Sequence, residues 1–482
     1  MRKDEAKNGG TRGHLALPPE EMKKLGYRVI DMIVAHIEGL PDKPVTRRAS
    51  RSALDTLLME PVPEEGIGME SILRTLDTVV FSTIMHLDHR RFFAFVPGPS
   101  NYIGVLADAL ASGFNAFSGT WLEASGSAEI ERVTVEWLRQ LLGFPPETRG
   151  LFVSGGSMAN LTGLVVARRA VLGDRTGEGV LYCSDQTHSS VEKGFRILGF
   201  DPSTRLRKIL SDDRCRLSLP HLKEAVLRDR DAGLIPFCVV ANAGTTNSGA
   251  VDPVGQLADI CRDEGMWLHV DGAYGAVSAL TERGRTILGP LHLADSLSLD
   301  PHKWLFQPYE MGCILVRRGG LMRDTFRILP EYLRETEGPE EEINFCDLGV
   351  QLSRRFRALK LWMSVKYFGM GAFRRAVDHT LDLAEAAEAH LRGMKNWELV
   401  TGALLGVITF RYAPPGMPRD ETDRLTGEIV RETIRRGYAM VSSTELADRK
   451  VLRMCTINPR ATVDDVIDTL EHLNGIAVGF SG

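Results

Sequence analysis

The sequence predicts an α/β fold, a mostly parallel sheet with helices on both faces, followed by a smaller C-terminal α+β unit. Two observations point there. Between residues 151 and 316 short β-branched or apolar runs alternate with helical stretches, the pattern of repeated strand–helix–strand units. Five of those runs also end in polar clusters rich in small residues, as strands do when their carboxyl ends open on one crevice.

Taken in order, residues 1–15 are polar and glycine-containing and read as a frayed end. From 19 to 37, Leu25, Ile30, Ile33 and Ile37, with Val29 and Met32, recur at helical spacing after a Pro-Pro-Glu-Glu start. That helix is amphipathic and needs a partner surface. Proline-rich turns follow at 41–44 and 61–63, so residues 1–86 are expected to form a helical arm. In the large domain, 87–376, strands are expected at 151–153, 180–183, 237–240, 266–270, 297–299 and 313–316. Gly155-Gly156 leads into a helix with Met158, Leu161, Leu164 and Val165 on one face. Another helix is expected to be capped by Asp252, to begin at Pro253, to turn Leu257, Ile260 and Cys261 inward and to stop at Gly265. Beyond Trp362 the pattern shifts to long helices at 373–391 and around 424–436, with strand-like 406–410 and 451–456. These define the small domain, 377–482.

A chain of 482 residues is too long for one simple core, and 43% apolar with 25% charged residues is ordinary for a globular protein. A net charge of -5 supplies no basic face for nucleic acid and no attraction to an anionic membrane. No stretch approaches roughly 18 uninterrupted apolar residues, and the N-terminus lacks a signal-peptide core, so a cytoplasmic location is expected. The seven cysteines are scattered without a CxxC pair, the pattern of buried reduced thiols.

The strand ends carry the chemistry. They read Ser154-Gly155-Gly156-Ser157, Asp185-Gln186-Thr187-His188, Asn242-Ala243-Gly244-Thr245-Thr246, Asp271-Gly272-Ala273 and Asp300-Pro301-His302-Lys303. The glycines and Ser157, at a strand-to-helix junction, present backbone N–H groups to an anion. Asp271 follows a buried strand, where a carboxylate needs a cation or several donors. Lys303 lies among apolar neighbours, where enclosure lowers an amine's pKa and makes it a nucleophile toward a carbonyl. Anion grip, buried carboxylate and enclosed amine together are what pyridoxal phosphate requires. His269, Asp271, Asp300 and His302 include metal-ligand types, but without HExxH or Cys/His spacing no metal site is expected.

HVDGAYG (269–275), DPHKW (300–304), YCSDQTHSS (182–190) and SRRFRALKLW (353–362) resemble the group II pyridoxal-phosphate-dependent decarboxylases, most nearly the aromatic-L-amino-acid decarboxylases. The similarity runs from Tyr27 to Tyr367 with the motifs in order, and more weakly to the end. It implies a fold-type I enzyme with a seven-stranded sheet, a homodimer with the arm packed on the partner and active sites at the subunit interface. It also implies that Lys303 carries the cofactor as a Schiff base and Asp271 pairs with its ring nitrogen. Ala273 would lie under the ring, His188 would stack on the other face, and Thr246 would sit near the substituents. Gly156, Ser157 and Asp300 would surround the phosphate, with His302 beside them. Many relatives have Asn where this chain has Asp300, and an ionised carboxylate would repel a phosphate.

By the same resemblance, Tyr332, in the charged loop FRILPEYLRETEGPEEE (326–342), closes over the neighbouring site as proton donor. Phe95, Val96 and Pro97, in HRRFFAFVPGPSNY (89–102), line the substrate pocket, with Phe117 and Trp121 as further wall. Aromatic walls favour an aromatic amino acid over glutamate, which needs a paired base. Gly98 replaces a bulkier residue of animal relatives, and Arg90 and Arg91 lie close by, which keeps an acidic substrate open. The alternatives are decarboxylation of glutamate or 2,4-diaminobutyrate, aromatic aldehyde synthesis, and a non-catalytic scaffold. His188 speaks against aldehyde synthesis, because relatives that make aldehyde often differ there; intact Lys303, Asp271 and His188 speak against the scaffold.

Overall fold

The computed structural model describes residues 15–96 and 98–481. Seven strands, β1 (Arg149–Val153), β2 (Gly179–Ser184), β3 (Leu206–Ile209), β4 (Ile235–Asn242), β5 (Trp267–Asp271), β6 (Ser296–Leu299) and β7 (Gly312–Val316), form one sheet in the order β1-β7-β6-β5-β4-β2-β3. β7 is antiparallel to β1 and β6, and the remaining pairs are parallel. Every strand but β7 therefore runs the same way, and the ends of β1, β2, β4, β5 and β6 share one edge. Along β2, Val180 and Tyr182 enter one apolar cluster while Leu181 and Cys183 enter another. The two clusters are the two covered faces of the sheet, which is why these strands read as continuous apolar runs.

The expected mostly parallel sheet is present, and three strands add to the reading. β3 is Leu-Arg-Lys-Ile at the sheet edge, where its two basic residues escape burial. The other two belong to a second, antiparallel sheet, β10-β11-β9-β8, made of β8 (Trp397–Leu404), β9 (Val407–Tyr412), β10 (Ser442–Leu446) and β11 (Arg449–Cys455). β8 and β10 are its half-exposed edges. Helices Met370–Gly393, Arg419–Arg436 and Val463–Ser481 accompany this sheet, and the first of them runs through residue 377. Phe93 ties the expected substrate segment to it, donating its N–H to Met440 O and accepting from Cys455 N, both at 2.8 Å.

Asp252 does not cap the following helix. Pro253 takes the N-cap position without a side-chain bond, and helix Val254–Glu264 stops at left-handed Gly265, φ 66°. Asp252 is 2% exposed and accepts from the N–H groups of Leu217 and Asn242, both at 2.7 Å, and from the Asn242 amide at 2.9 Å. It joins a loop to the end of β4 instead, and burial pushes its pKa up to about 6. At the other end of the chain, helix Pro19–Glu38 buries none of its residues. Among the described residues no helix is long and apolar enough to cross a membrane.

Candidate active site

Lys303 lies on a single helical turn, Pro301–Trp304, directly after β6. Trp304 anchors that turn: it is fully buried, stacks on Tyr274 at 5.4 Å and donates its indole N–H to Thr380 at 2.9 Å. The lysine one place earlier keeps 23% of its side chain exposed and sets Nζ 3.1 Å from Asp300 Oδ2. Here the structure corrects the sequence. Burial pulls the Lys303 pKa down as expected, but the Asp300 and Asp271 carboxylates together push it further up, and the net direction is upward. Without an aldehyde, Lys303 is an ammonium held by Asp300.

Asp300 is 2% exposed, and its Oδ1 has no hydrogen-bond partner. Burial pushes its pKa up to about 6 even against Lys303. Two glycines make room for this carboxyl: a Cβ on Gly156 would lie 2.8 Å from Oδ2, and one on Gly312 would lie 2.8 Å from Oδ1. Asp300 therefore lies against the strand-to-helix turn expected to grip an anion. His302 Nδ1 accepts the Met311 N–H at 3.1 Å, and its ring lies 4.7 Å from Tyr309. Burial first, and Lys303 second, lower its pKa to about 4.

Asp271, 7% exposed at the end of β5, has its donors. Asn160 Nδ2 lies 2.8 Å from Oδ2, while Ala273 N–H and Ser298 Oγ reach Oδ1 at 3.1 and 3.3 Å. Ala273 is half-buried, and a Cβ on Gly156 would approach its methyl to 2.9 Å. His188 is the N-cap of helix Ser189–Ile197 and Ser157 is the second residue of helix Gly156–Leu172; both residues are exposed. Thr246, in the loop after β4, is exposed and accepts Arg453 Nε on its carbonyl at 2.5 Å. The structure thus brings Lys303, Asp300, His302, Asp271, Ala273 and Gly156 together, with His188 near enough to act electrostatically on Asp300.

Phe95 is exposed at φ 55°, and its carbonyl accepts from Arg453; Val96 packs on the main core. Phe117 lies on another segment, against Gly119, and Trp121 packs on the second face of the sheet. Pro97 and the side chain of Tyr332 lie outside the described residues. Arg90 and Arg91 do not face the site: Arg90 Nε lies 3.1 Å from Asp465, and Arg91 stacks over Tyr438 at 4.0 Å. Gly98 is required by close approach, since a Cβ there would meet the His302 carbonyl at 1.6 Å.

Sequence reasoning missed Asn160, Ser190, Arg453 and Tyr309. Asn160 is a buried amide on an otherwise apolar helix face, a signal that could have been read; Arg453 lies 150 residues along the chain from Lys303, as 453 − 303 counts it. Arg453 is 2% exposed, and its Nη2 has no partner. Among the described residues no group of three or more His, Cys, Asp or Glu side chains could hold a metal ion. A cavity of about 670 Å³ between Arg149, Arg323 and the 337–345 segment contains none of these residues, so chemistry rather than volume marks the site.

The donor set suits pyridoxal phosphate: an amine for its aldehyde, a carboxyl with fixed orientation for its ring nitrogen, and Gly156 beside Ala273 with no room for another side chain. Residues 52–413 match the pyridoxal-dependent decarboxylase conserved domain. The chain belongs to this family of pyridoxal-phosphate-dependent carboxy-lyases. It is 48% identical over 466 residues, 96% of this chain and 97% of the relative, to an aromatic-L-amino-acid decarboxylase of Bacillus atrophaeus. The crystal structure of Oryza sativa TDC with PLP and tryptamine superimposes with a TM-score of 0.93 at 27% identity, covering 97% of this chain and 100% of that one. A 4-hydroxyphenylacetaldehyde synthase of Rhodiola rosea superimposes at 0.89 and 26% identity, covering 96% and 99%.

Proposed function

We propose that the protein decarboxylates an aromatic L-amino acid (tryptophan, tyrosine, phenylalanine or dihydroxyphenylalanine) to the amine and carbon dioxide. One observation carries this reading: Lys303, Asp300 and Asp271 meet at adjoining strand ends in a chain nearly half identical, along its whole length, to a decarboxylase of aromatic amino acids. Bound pyridoxal phosphate supplies an electron sink for the charge left at Cα when carbon dioxide departs. The chain's residues do the rest. Asp271 would hold the ring nitrogen, Ala273 and His188 would enclose the ring, and Gly156, Ser157 and Thr246 would line its periphery. Lys303 would hold the cofactor's aldehyde, and Asp300, 3.1 Å from Nζ, is placed to hold the lysine as an ammonium whenever its amine is free. Arg453, with a buried N–H to spare between Phe95 and Thr246, offers a carboxylate its partner.

With Arg90 and Arg91 engaged elsewhere, the acidic substrate loses its strongest support, and Phe95, Val96, Pro97 and Phe117 remain as apolar wall. The helix that buries none of its residues, with exposed Met22, Tyr27 and Ile37, supports a homodimer in which the arm packs on a second copy. In that dimer Tyr332 of one subunit would close over the site of the other and protonate Cα. We retain the division into an arm (1–86), a cofactor domain (87–376) and a small domain (377–482), and a cytoplasmic location.

Purified protein should be yellow, and borohydride should fix the cofactor in a Lys303-dependent way. Amine and carbon dioxide should form from aromatic amino acids and not from glutamate or 2,4-diaminobutyrate. Colourless protein after incubation with pyridoxal phosphate, or release of aldehyde in place of amine, would overturn the reading.

A further inference from the structure

Asn160 is 1% exposed, 111 residues before Asp271 in sequence (271 − 160) and in direct contact with it. Its amide nitrogen faces two acceptors, Asp271 Oδ2 at 2.8 Å and Ser190 Oγ at 3.0 Å. An ionised carboxylate only accepts, so the nitrogen must lie on that side and Oδ1 must face His269 Nε2 at 3.0 Å. That oxygen accepts, which puts the His269 proton on Nε2. His269 Nδ1 then accepts the hydroxyl of Ser296 at 2.8 Å, and Ser296 Oγ in turn accepts the indole N–H of Trp267 at 2.8 Å. Indole nitrogen can only donate. The chain from Trp267 through Ser296, His269 and Asn160 to Asp271 thus has a donor-only group at one end and an acceptor at the other, and it cannot reverse.

The second N–H of the amide opens a branch. Ser190 Oγ accepts it and lies 2.8 Å from His188 Nδ1, which also receives the backbone N–H of Ser190 at 3.2 Å. A backbone N–H only donates, so Nδ1 is an acceptor and the His188 proton lies on Nε2. We infer that Asn160 is a positioning residue of the reaction: one amide orients the carboxylate that faces the cofactor's ring nitrogen and, by occupying an acceptor site of Ser190 Oγ, turns that hydroxyl toward Nδ1 of the histidine on the ring's face, where it holds the ring beside the backbone N–H that fixes its tautomer. This rests on the roles of Asp271 and His188 proposed above. His269 keeps the amide from turning over, and it is fully buried, with a pKa lowered by that burial to about 4, so it stays neutral across the working range.

Four variants test this: Asn160→Ala, Asn160→Asp, Ser190→Ala and His269→Gln. The readouts are the dissociation constant of pyridoxal phosphate from the refilled protein, kcat and KM, with circular dichroism checking the fold. Asn160→Ala and Asn160→Asp should weaken cofactor binding and lower kcat by roughly tenfold or more each, with KM for the amino acid within about threefold, because a buried carboxylate oxygen loses its donor. Ser190→Ala, which leaves the Asp271 arm intact, should keep the parental cofactor affinity while kcat falls. His269→Gln, which retains an N–H toward Asn160, should stay near the parent. Parental affinity and kcat in a folded Asn160→Asp protein would overturn the positioning role, as would equal loss of affinity in Ser190→Ala and Asn160→Ala. If Asn160→Ala fails to fold, the Asn160→Asp and Ser190→Ala pair decides by the same split. A parent chain that binds pyridoxal phosphate equally well with and without Lys303 would instead remove the functional reading beneath it.

Discussion

Replacing Asp300 with Asn isolates the charge that holds Lys303. At 3.1 Å two unit charges interact by about 5 kcal/mol at an effective dielectric constant near 20, and this is a ceiling. Asn keeps a neutral hydrogen bond, roughly half as strong as the charged one, so about 2 to 3 kcal/mol should disappear. That raises the fraction of free amine at neutral pH by roughly a hundredfold. A less basic amine is also a poorer nucleophile, which leaves a net gain on the order of tenfold in the rate of imine formation. The sign follows from the structure: Asp300 and Asp271 hold the Lys303 pKa up against burial, so removing one carboxylate lets burial draw it down. The assay is stopped-flow absorbance of cofactor-free protein mixed with pyridoxal, which lacks the phosphate that Asp300 would also repel, with Lys303→Ala subtracting other lysines. A pH–rate profile that superimposes on the parent's, or moves to higher pH, refutes the reasoning.

Four further outcomes are expected. Tyr332→Phe should divert product from amine toward aldehyde and ammonia, with dioxygen as oxidant; parental amine output without aldehyde, measured by chromatography, would remove the assignment. Glu131→Gln should cost about 3 kcal/mol in urea unfolding, because Arg354, 1% exposed and 2.6 Å from Glu131, is left as a buried unpaired charge. The double change with Arg354→Met should cost less than Glu131→Gln alone, and an equal or larger loss would count against that account. Arg453→Met should raise KM for the amino acid at least tenfold with cofactor affinity held, if its spare N–H meets a carboxylate; an unchanged KM would exclude that contact. Acid stability follows from depressed histidines: His89, His269 and His302, each lowered by burial to about 4, contribute stability that is present above 6.5 and lost as pH falls toward 4. Asp252 and Asp300, raised to about 6, work the other way, losing stability as pH rises from their ordinary range through 6. Three histidines against two carboxyls predict a urea midpoint that falls on acidification from pH 6.5 to 4; a flat or rising midpoint would contradict this balance.

Six of the seven strands of the large sheet were legible because both of their faces are covered, so burial makes nearly every residue apolar. Edge strands have no such signature: β3 carries Arg207 and Lys208, and β8 and β10 alternate irregularly because one side meets solvent. Asp252 misled for a related reason. An Asp-Pro pair ahead of a helix is a good local cap, but Leu217 and Asn242, brought in from elsewhere, offer three donors instead.

What the sequence determined by itself is therefore the set of chemical groups and their placing at strand ends: Lys303 after β6, Asp271 at the end of β5, the Gly155-Gly156 turn after β1. Those depend on local periodicity and on residue type, both of which a chain carries without folding. Only the tertiary structure decided which groups touch. It paired Arg90 with Asp465 and stacked Arg91 on Tyr438, set Asn160 against Asp271, held Arg453 on the carbonyls of Phe95 and Thr246, and made Lys303 an ammonium where enclosure alone argued for a free amine. Hydrogen bonds act only within a few ångströms and charges act most strongly at close range, so the sign of a group's balance depends on neighbours that lie more than a hundred residues away along the chain.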